Sequence, residues 1–135
     1  MDDQSADIQQ RIQPFFGGTL GIRITSATSD CVTAELDVRE DLCTVPGICH
    51  GGALMAFADQ LGAVGTSMNL PSGGGTTTIE SKTNFFRPAL AGTTITAECQ
   101  PINLGRRTHT WQTNIRNSEG KLIAQVTQTQ FVLEG

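Results

Sequence analysis

One carboxylate, Asp59, stands in the middle of the most apolar stretch of this 135-residue chain, 46-PGICHGGALMAFADQLGAVG-65. Burying an unpaired carboxylate is costly, and the usual outcome is pairing or protonation. No basic residue lies within a helical turn of it. Two readings therefore stand. Asp59 is a carboxylate satisfied by hydrogen bonds from a neighbouring loop, or it is a nucleophile or general base at the mouth of an apolar pocket. The triplet His50-Gly51-Gly52 opens the same stretch. If a helix starts there, its first N–H groups have no internal partner, and with the helix dipole they favour a developing negative charge. Glycine lets a ligand come close to that backbone. An acyl carbonyl could be polarised there, as in an oxyanion hole. The glycines could equally serve only to pack the helix tightly on a sheet. Eight residues of helix span about 12 Å, so Gly51 and Asp59 of one chain are too far apart to act on one carbonyl. If both belong to one centre, they come from different subunits. The spacing then predicts a symmetric dimer with two equivalent sites.

The elements that must position these residues follow from periodicity. Leu54, Phe57, Ala58, Leu61, Gly65 and Met68 fall on one face of a helix expected at about 51–68. Alanine and glycine fill most of its other faces, so protein should enclose it. Asp59 is off the apolar face, on a side shared with Met55, Ala56, Gly62 and Ala63. Before the helix, residues 4–16 read as a short helix stopping near Pro14, and 20–27 and 31–38 read as strands. Val32, Ala34, Leu36 and Val38 alternate with polar neighbours. The two strands are expected to form a hairpin at Thr28-Ser29-Asp30, and 39–49 a connection through Pro46-Gly47. After the connector Pro71-Ser72-Gly73-Gly74-Gly75, strands are expected at about 76–86, 92–103, 107–117 and 121–133, punctuated by Gly92, Gly105 and Asn117-Ser118-Glu119-Gly120. Two strands, one long helix and four strands make an α+β chain. Consecutive hairpins give an antiparallel sheet with the helix over one face.

Bulk composition bounds the partners. The length suits one domain, residues 1–135, with about 1–16 as a helical or loose N-terminal extension. Nine basic and thirteen acidic residues are scattered and give a net charge of −4, which argues against nucleic-acid and anionic-membrane partners. The acidic, polar start is unlike a signal peptide, and no apolar run is long enough for a bilayer. A cytoplasmic protein is the expectation. Cys31, Cys43, Cys49 and Cys99 are irregularly spaced without a CxxC and read as reduced, buried small hydrophobes. With His50 and His109 they make no metal cluster, so no metal is expected.

The motifs, taken together, resemble a known family. They are G-x-x-HGG (Gly47, His50-Gly51-Gly52), Asp59 seven residues after the second glycine, I-E-S-K-T-N-F-F-R-P-A at 79–89, and G-R-R followed by a strand and E-G-K-L-I-A-Q at 119–125. Over about residues 17–133 the chain resembles the hotdog-fold acyl-CoA thioesterases of the phenylacetate-pathway (PaaI-type) branch, which includes one class of hydroxybenzoyl-CoA thioesterase. The resemblance implies a long central helix wrapped by a curved antiparallel sheet. It also implies subunits paired into a continuous sheet, with dimers associating into tetramers. The implied reaction is hydrolysis of an acyl-CoA to the free acid and CoA, with no cofactor, CoA being part of the substrate. Carried over by position, the Gly51 N–H polarises the thioester carbonyl, and Asp59 of the partner subunit attacks it or activates water. His50 begins the helix and shapes the loop. Thr78 stands where some relatives place a hydroxyl near the acid or water. Six residues before His50, where many members carry Asn or Gln, this chain has Thr44, a hydroxyl of shorter reach.

Gly52 and Phe57 complete the expected substrate contacts. Lys82, Arg87, Arg106 and Arg107 are the candidates for the CoA phosphates, since arginine forks suit phosphate. Each could also be an ordinary solvated charge. Trp111 and Phe85 read as core or interface residues, whereas Phe57 and Met68 could line either core or pocket. The acyl group is left open between an aromatic ring, such as phenylacetyl or hydroxybenzoyl, and a medium aliphatic chain. Two other readings compete. A hotdog enoyl-thioester hydratase or dehydratase would use a His and Asp/Glu pair, for which His109 is the other histidine. A non-catalytic acyl-CoA-binding module would need no carboxylate in the helix.

Overall fold

The computed structural model describes residues 2–71 and 73–134. Met1, Ser72 of the expected connector and Gly135 lie outside the described residues. Helices α1 (Ser5–Ile12) and α2 (Phe16–Leu20) lead into strands β1 (Arg23–Thr28) and β2 (Cys31–Asp37). A 3-10 turn and a small hairpin, β3 (Cys43–Thr44) and β4 (Ile48–Cys49), precede the long helix α3 (Gly51–Ser67). Strands β5 (Gly75–Phe85), β6 (Thr94–Leu104), β7 (Thr108–Arg116) and β8 (Leu122–Leu133) close the chain. Six strands form one wholly antiparallel sheet in the order β1-β2-β6-β7-β8-β5. Helix α3 lies across one face of it, packing on strands from β2 to β5. This is the hotdog arrangement, a central helix held by a curved antiparallel sheet.

The period-two pattern of β2 sets the core. Val32, Ala34 and Leu36 pair with Cys99, Ala97 and Ile95 of β6, and all six are buried. Against them α3 turns Leu54, Phe57, Ala58, Leu61, Val64 and Gly65. Each large side chain buried this way contributes about 1.5–3 kcal/mol. Two of the helix glycines are explained by what faces them. A Cβ on Gly65 would lie 2.7 Å from the Trp111 ring, and one on Gly62 would lie 2.3 Å from the Gln128 carboxamide. The fully buried Trp111 donates its indole N–H to Thr66 Oγ1 at 2.8 Å, as an enclosed indole must find a partner.

The structure corrects several expectations. The first strand begins at Arg23, not near residue 20, because 16–20 turn into a helix that Gly21 ends with a left-handed φ of 87°. The 39–49 connection contains the β3–β4 hairpin. Met68 is only half-buried at the helix end. Cys49 and Cys99 are buried as expected, but Cys31 and Cys43 are only partly so, and all four are free. Among the described residues, no helix is long and apolar enough to cross a membrane.

Candidate functional site

Two local sites lie along α3, one at its start and one at its middle. At its start, His50 is the N-cap, and its Nδ1 accepts the Gly52 N–H at 2.8 Å. The Ala53 and Leu54 N–H groups both donate to the His50 carbonyl, at 2.9 and 3.2 Å. Among the described residues, this leaves the Gly51 N–H as the one donor of the first turn without a partner. A cavity of about 500 Å³ opens beside it, lined by Thr44, Cys49, Gly51, Leu54, Phe85 and Arg87 among others. Phe85, expected in the core or an interface, is half exposed, and its ring would meet a Gly51 Cβ at 3.2 Å. Glycine here leaves that ring its place, and a Cβ would need it to shift by a few tenths of an ångström.

Two turns along the helix sits Asp59, half-buried. Thr78 Oγ1 donates to its Oδ1 at 2.6 Å, and Gln128 Nε2 donates to the same oxygen at 3.3 Å. Thr78 in turn accepts from Gln130 Nε2 at 2.6 Å, and Gln130 Oε1 accepts from Thr76 Oγ1 at 2.9 Å. One carboxylate oxygen is thus held from two strands, while Oδ2 has no partner among the described residues. A bulge in β5 between Thr78 and Glu80 sets this aim. Before it, Thr76 and Thr78 face the helix, and beyond it Ser81 and Thr83 do. Small residues beside Asp59 leave room one turn further on. There Gln60, Ala63 and Ser67 meet Ile8, Ile12 and Phe15 around a second cavity of about 370 Å³.

The expected site residues thus divide into groups. Thr44, His50, Gly51 and Gly52 gather at the helix start, and Asp59 and Thr78 meet in the middle. Phe57 does not join either group. It is 0% exposed in the core, so it is corrected from a binding residue to a structural one. The basic candidates are exposed but scattered. Lys82 is in mid-β5. Arg87 follows the Phe85 end of β5 and donates to the Leu122 carbonyl at 2.9 Å. Arg106 and Arg107 occupy the β6–β7 turn, beside the opposite end of β8. The seven steps along β8 from Ala124, beside Phe85, to Phe131, beside Thr108, span about 23 Å at roughly 3.3 Å per residue. One chain therefore does not bring Arg87 to Arg106 and Arg107. His109 is buried, 3.1 Å from Thr66 Oγ1, and burial holds its pKa below the ordinary 6.5. It packs in the core, away from Asp59. Among the described residues, no three His, Cys, Asp or Glu gather to hold a metal ion.

Gln128 and Gln130 were missed from sequence, although a signal was present. Ala124, Val126, Gln128 and Gln130 alternate on one face of β8 and are all 0% exposed. Two amides on an otherwise inward apolar face must have polar partners; here those partners are Asp59 and Thr78.

The chain is similar to known proteins over most of its length. Residues 46–124 match the family model described as the thioesterase superfamily. The chain is 35% identical over 103 residues to a Haemophilus influenzae protein designated an esterase, covering 76% of this chain and 74% of that one. The crystal structure of thioesterase HI1161 from Haemophilus influenzae superposes with a TM-score of 0.90 at 30% identity, over 96% of this chain and 90% of that one. The fold is also shared with the E. coli PaaI protein of the phenylacetic acid degradation operon, with a TM-score of 0.85 at 24% identity, over 98% and 93% of the two chains.

Proposed function

The chain belongs to the thioesterase superfamily and is a thioester hydrolase, and on that premise we propose that it cleaves an acyl-CoA to the free acid and CoA in sites shared between two subunits. The observation that carries this reading is the anchored carboxylate. Asp59 is fixed through Oδ1 by Thr78 and Gln128, and its second oxygen is left without a partner. A carboxylate held in this way can serve as nucleophile or as general base towards water. The unpaired Gly51 N–H, at the positive end of α3, polarises the thioester carbonyl and stabilises the oxyanion that follows attack. Thr44 lines the same cavity as Gly51 and supplies one hydroxyl to the carbonyl or to water.

The shared site follows from the edge strand. β5 ends the sheet with one edge unpaired. Two copies of β5 joined antiparallel about a twofold axis near mid-strand place the Phe85 end of one against the Thr78 end of the other. Gly51, which lies against Phe85, then approaches the partner's Asp59. The same operation brings Arg87 towards the partner's Arg106 and the partner's Arg107, giving the CoA phosphates cations from both chains. In this reading Lys82 lies near the axis, and such dimers pair into tetramers. The cavity beyond Asp59 takes an aromatic or medium-chain acyl group. The hydratase reading is disfavoured because His109 is committed to Thr66.

Mixed assembly tests the proposal. Asp59→Asn and Gly51→Pro variants, each inactive alone, are co-expressed with different tags. A heterodimer of the two has one site with both defects and one with neither, so a statistical mixture should regain roughly a quarter of wild-type CoA release. No recovery in isolated heterodimers would place both residues of each site in one chain and refute the shared geometry.

A further inference from the structure

We propose that Cys43 and Cys49 form an oxidisable dithiol that hydrogen peroxide converts to an intrachain disulfide at the wall of the Gly51 cavity. The geometry comes from the β3–β4 hairpin, 43-CTVPGIC-49, in which Cys43 and Cys49 are direct cross-strand partners. They do not exchange backbone hydrogen bonds. The Cys49 N–H donates to the Ala89 carbonyl at 2.8 Å, and the flanking His50 N–H donates to the Leu42 carbonyl at 2.8 Å. This makes them a non-hydrogen-bonded antiparallel pair, the kind whose Cα atoms approach to about 4.5 Å with side chains on one side. A disulfide accepts Cα separations of about 4.4–6.8 Å. Both side chains also turn the same way, Cys49 into the core cluster and Cys43 against it.

The other two cysteines lack this arrangement. Cys99 pairs with Val32, and Cys31, the next residue along β2, projects to the opposite face of the sheet.

The two thiols differ in access. Cys43 is partly exposed, and its Sγ donates to the Arg39 carbonyl at 3.3 Å. Cys49 is 5% exposed, and burial, with the neighbouring Cys43 adding to it, pushes its thiol up to about 11. Cys43 is therefore the first to react. Its thiolate attacks one peroxide oxygen, the O–O bond breaks, and the departing oxygen leaves as water, giving Cys43 sulfenic acid. The Cys49 thiolate then attacks the Cys43 sulfur, the S–O bond breaks, and a second water leaves. In total, two thiols are oxidised to one disulfide while one hydrogen peroxide is reduced. Because Cys49 ionises poorly, the second step quickens as pH rises.

The consequence for turnover rests on the thioesterase reading of the Gly51 cavity. Cys49 lines that cavity, and the hairpin carries Thr44 and runs straight into His50-Gly51. Drawing the two sulfurs into a bond moves this wall, and displacements near 1 Å at a reacting centre cost up to about a hundredfold.

The test treats the assembled full-length protein with hydrogen peroxide, then maps tryptic peptides without reduction. Peptide 40–82 contains Cys43 and Cys49 and no other cysteine. It should lose two hydrogens, and a Cys43→Ser protein should not undergo that loss. In parallel, acyl-CoA turnover should fall by roughly tenfold and return with dithiothreitol, while Cys43→Ser keeps its activity through the treatment. The mass change is read independently of catalysis, so it stands even if the thioesterase reading fails. Two intact thiols, or a sulfinic acid without the bridge, would overturn the dithiol. A quantitative bridge with unchanged turnover would overturn its effect on the site.

Discussion

Replacing Gly51 by proline removes one atom group of the proposed machinery and little else. Proline is well suited to the first position of a helix, where its missing N–H would bond nothing within the helix. His50 already has φ −61° and ψ 136°, the extended conformation that a residue before proline prefers. The other donors of the first turn stay satisfied, since Gly52 bonds the His50 ring and Ala53 and Leu54 bond its carbonyl. The substitution also narrows the unfolded ensemble, which at a compatible position stabilises by about 0.4–1 kcal/mol. Its catalytic cost should be that of a lost oxyanion donor, about 2.7–4 kcal/mol or a hundred- to thousandfold in kcat. A confounding contact is the new Cβ, which meets the Phe85 ring at 3.2 Å. Gly51→Ala adds that Cβ and keeps the N–H, so it should stay within about tenfold of wild type on the same rate scale. The assay is steady-state CoA release at saturating thioester, with melting temperatures as the control for folding. Wild-type turnover in Gly51→Pro would refute the role of this N–H. An equal loss in Gly51→Ala would assign the effect to the Phe85 contact instead.

Further perturbations separate chemistry from structure. Thr78→Val removes the 2.6 Å bond to Asp59 and leaves Gln130 Nε2 without its acceptor. A hydrogen bond to a charged group is worth about 1.5–3 kcal/mol, so kcat/KM should drop roughly ten- to hundredfold, and Thr78→Ser should restore most of it. Gly62→Ala and Gly65→Ala both overpack α3, by about 1–3 kcal/mol in denaturant unfolding. Only Gly62→Ala should also impair turnover, because it pushes on Gln128 beside Asp59, whereas Gly65→Ala meets Trp111. His109 has its pKa depressed on folding by burial, so the unfolded state binds its proton first as pH falls. The stability from the neutral imidazole should be present above about pH 6.5 and be lost progressively below it. Melting curves from pH 7.5 to 5 should show a shallower acid loss for His109→Gln than for wild type.

The succession of two strands, one long helix and four strands was legible from turn residues and from period-two alternation along β2, but the sheet order was not: consecutive hairpins were expected, whereas β5 pairs with β8 and β6 lies between β2 and β7. The start of β1 was not, because the left-handed turn at Gly21 and the packing of Phe16–Leu20 are tertiary choices. Asp59 announced itself as a charge in an apolar run, but its anchors lie 19 and 69 residues away. Thr78 was reached only through a family resemblance. Gln128 needed the inward face of β8 to be recognised first. Phe57 shows the opposite failure: its side of the helix was correctly read as apolar, yet periodicity does not distinguish a core face from a pocket wall. The separation of Arg87 from Arg106 and Arg107 depends on strand register, which hydrophobic pattern alone does not fix at that range.

The most direct test of the account is CoA release by wild type and Asp59→Asn against phenylacetyl, hydroxybenzoyl, hydroxyphenylacetyl, short-chain and medium-chain thioesters. The carboxamide nearly matches the carboxylate in shape, so the variant should melt close to wild type. It should nevertheless lose about a hundredfold or more in turnover on whichever thioester the wild type prefers. A folded Asp59→Asn protein that still hydrolyses that thioester at the wild-type rate would contradict the assignment of Asp59 as the acting carboxylate.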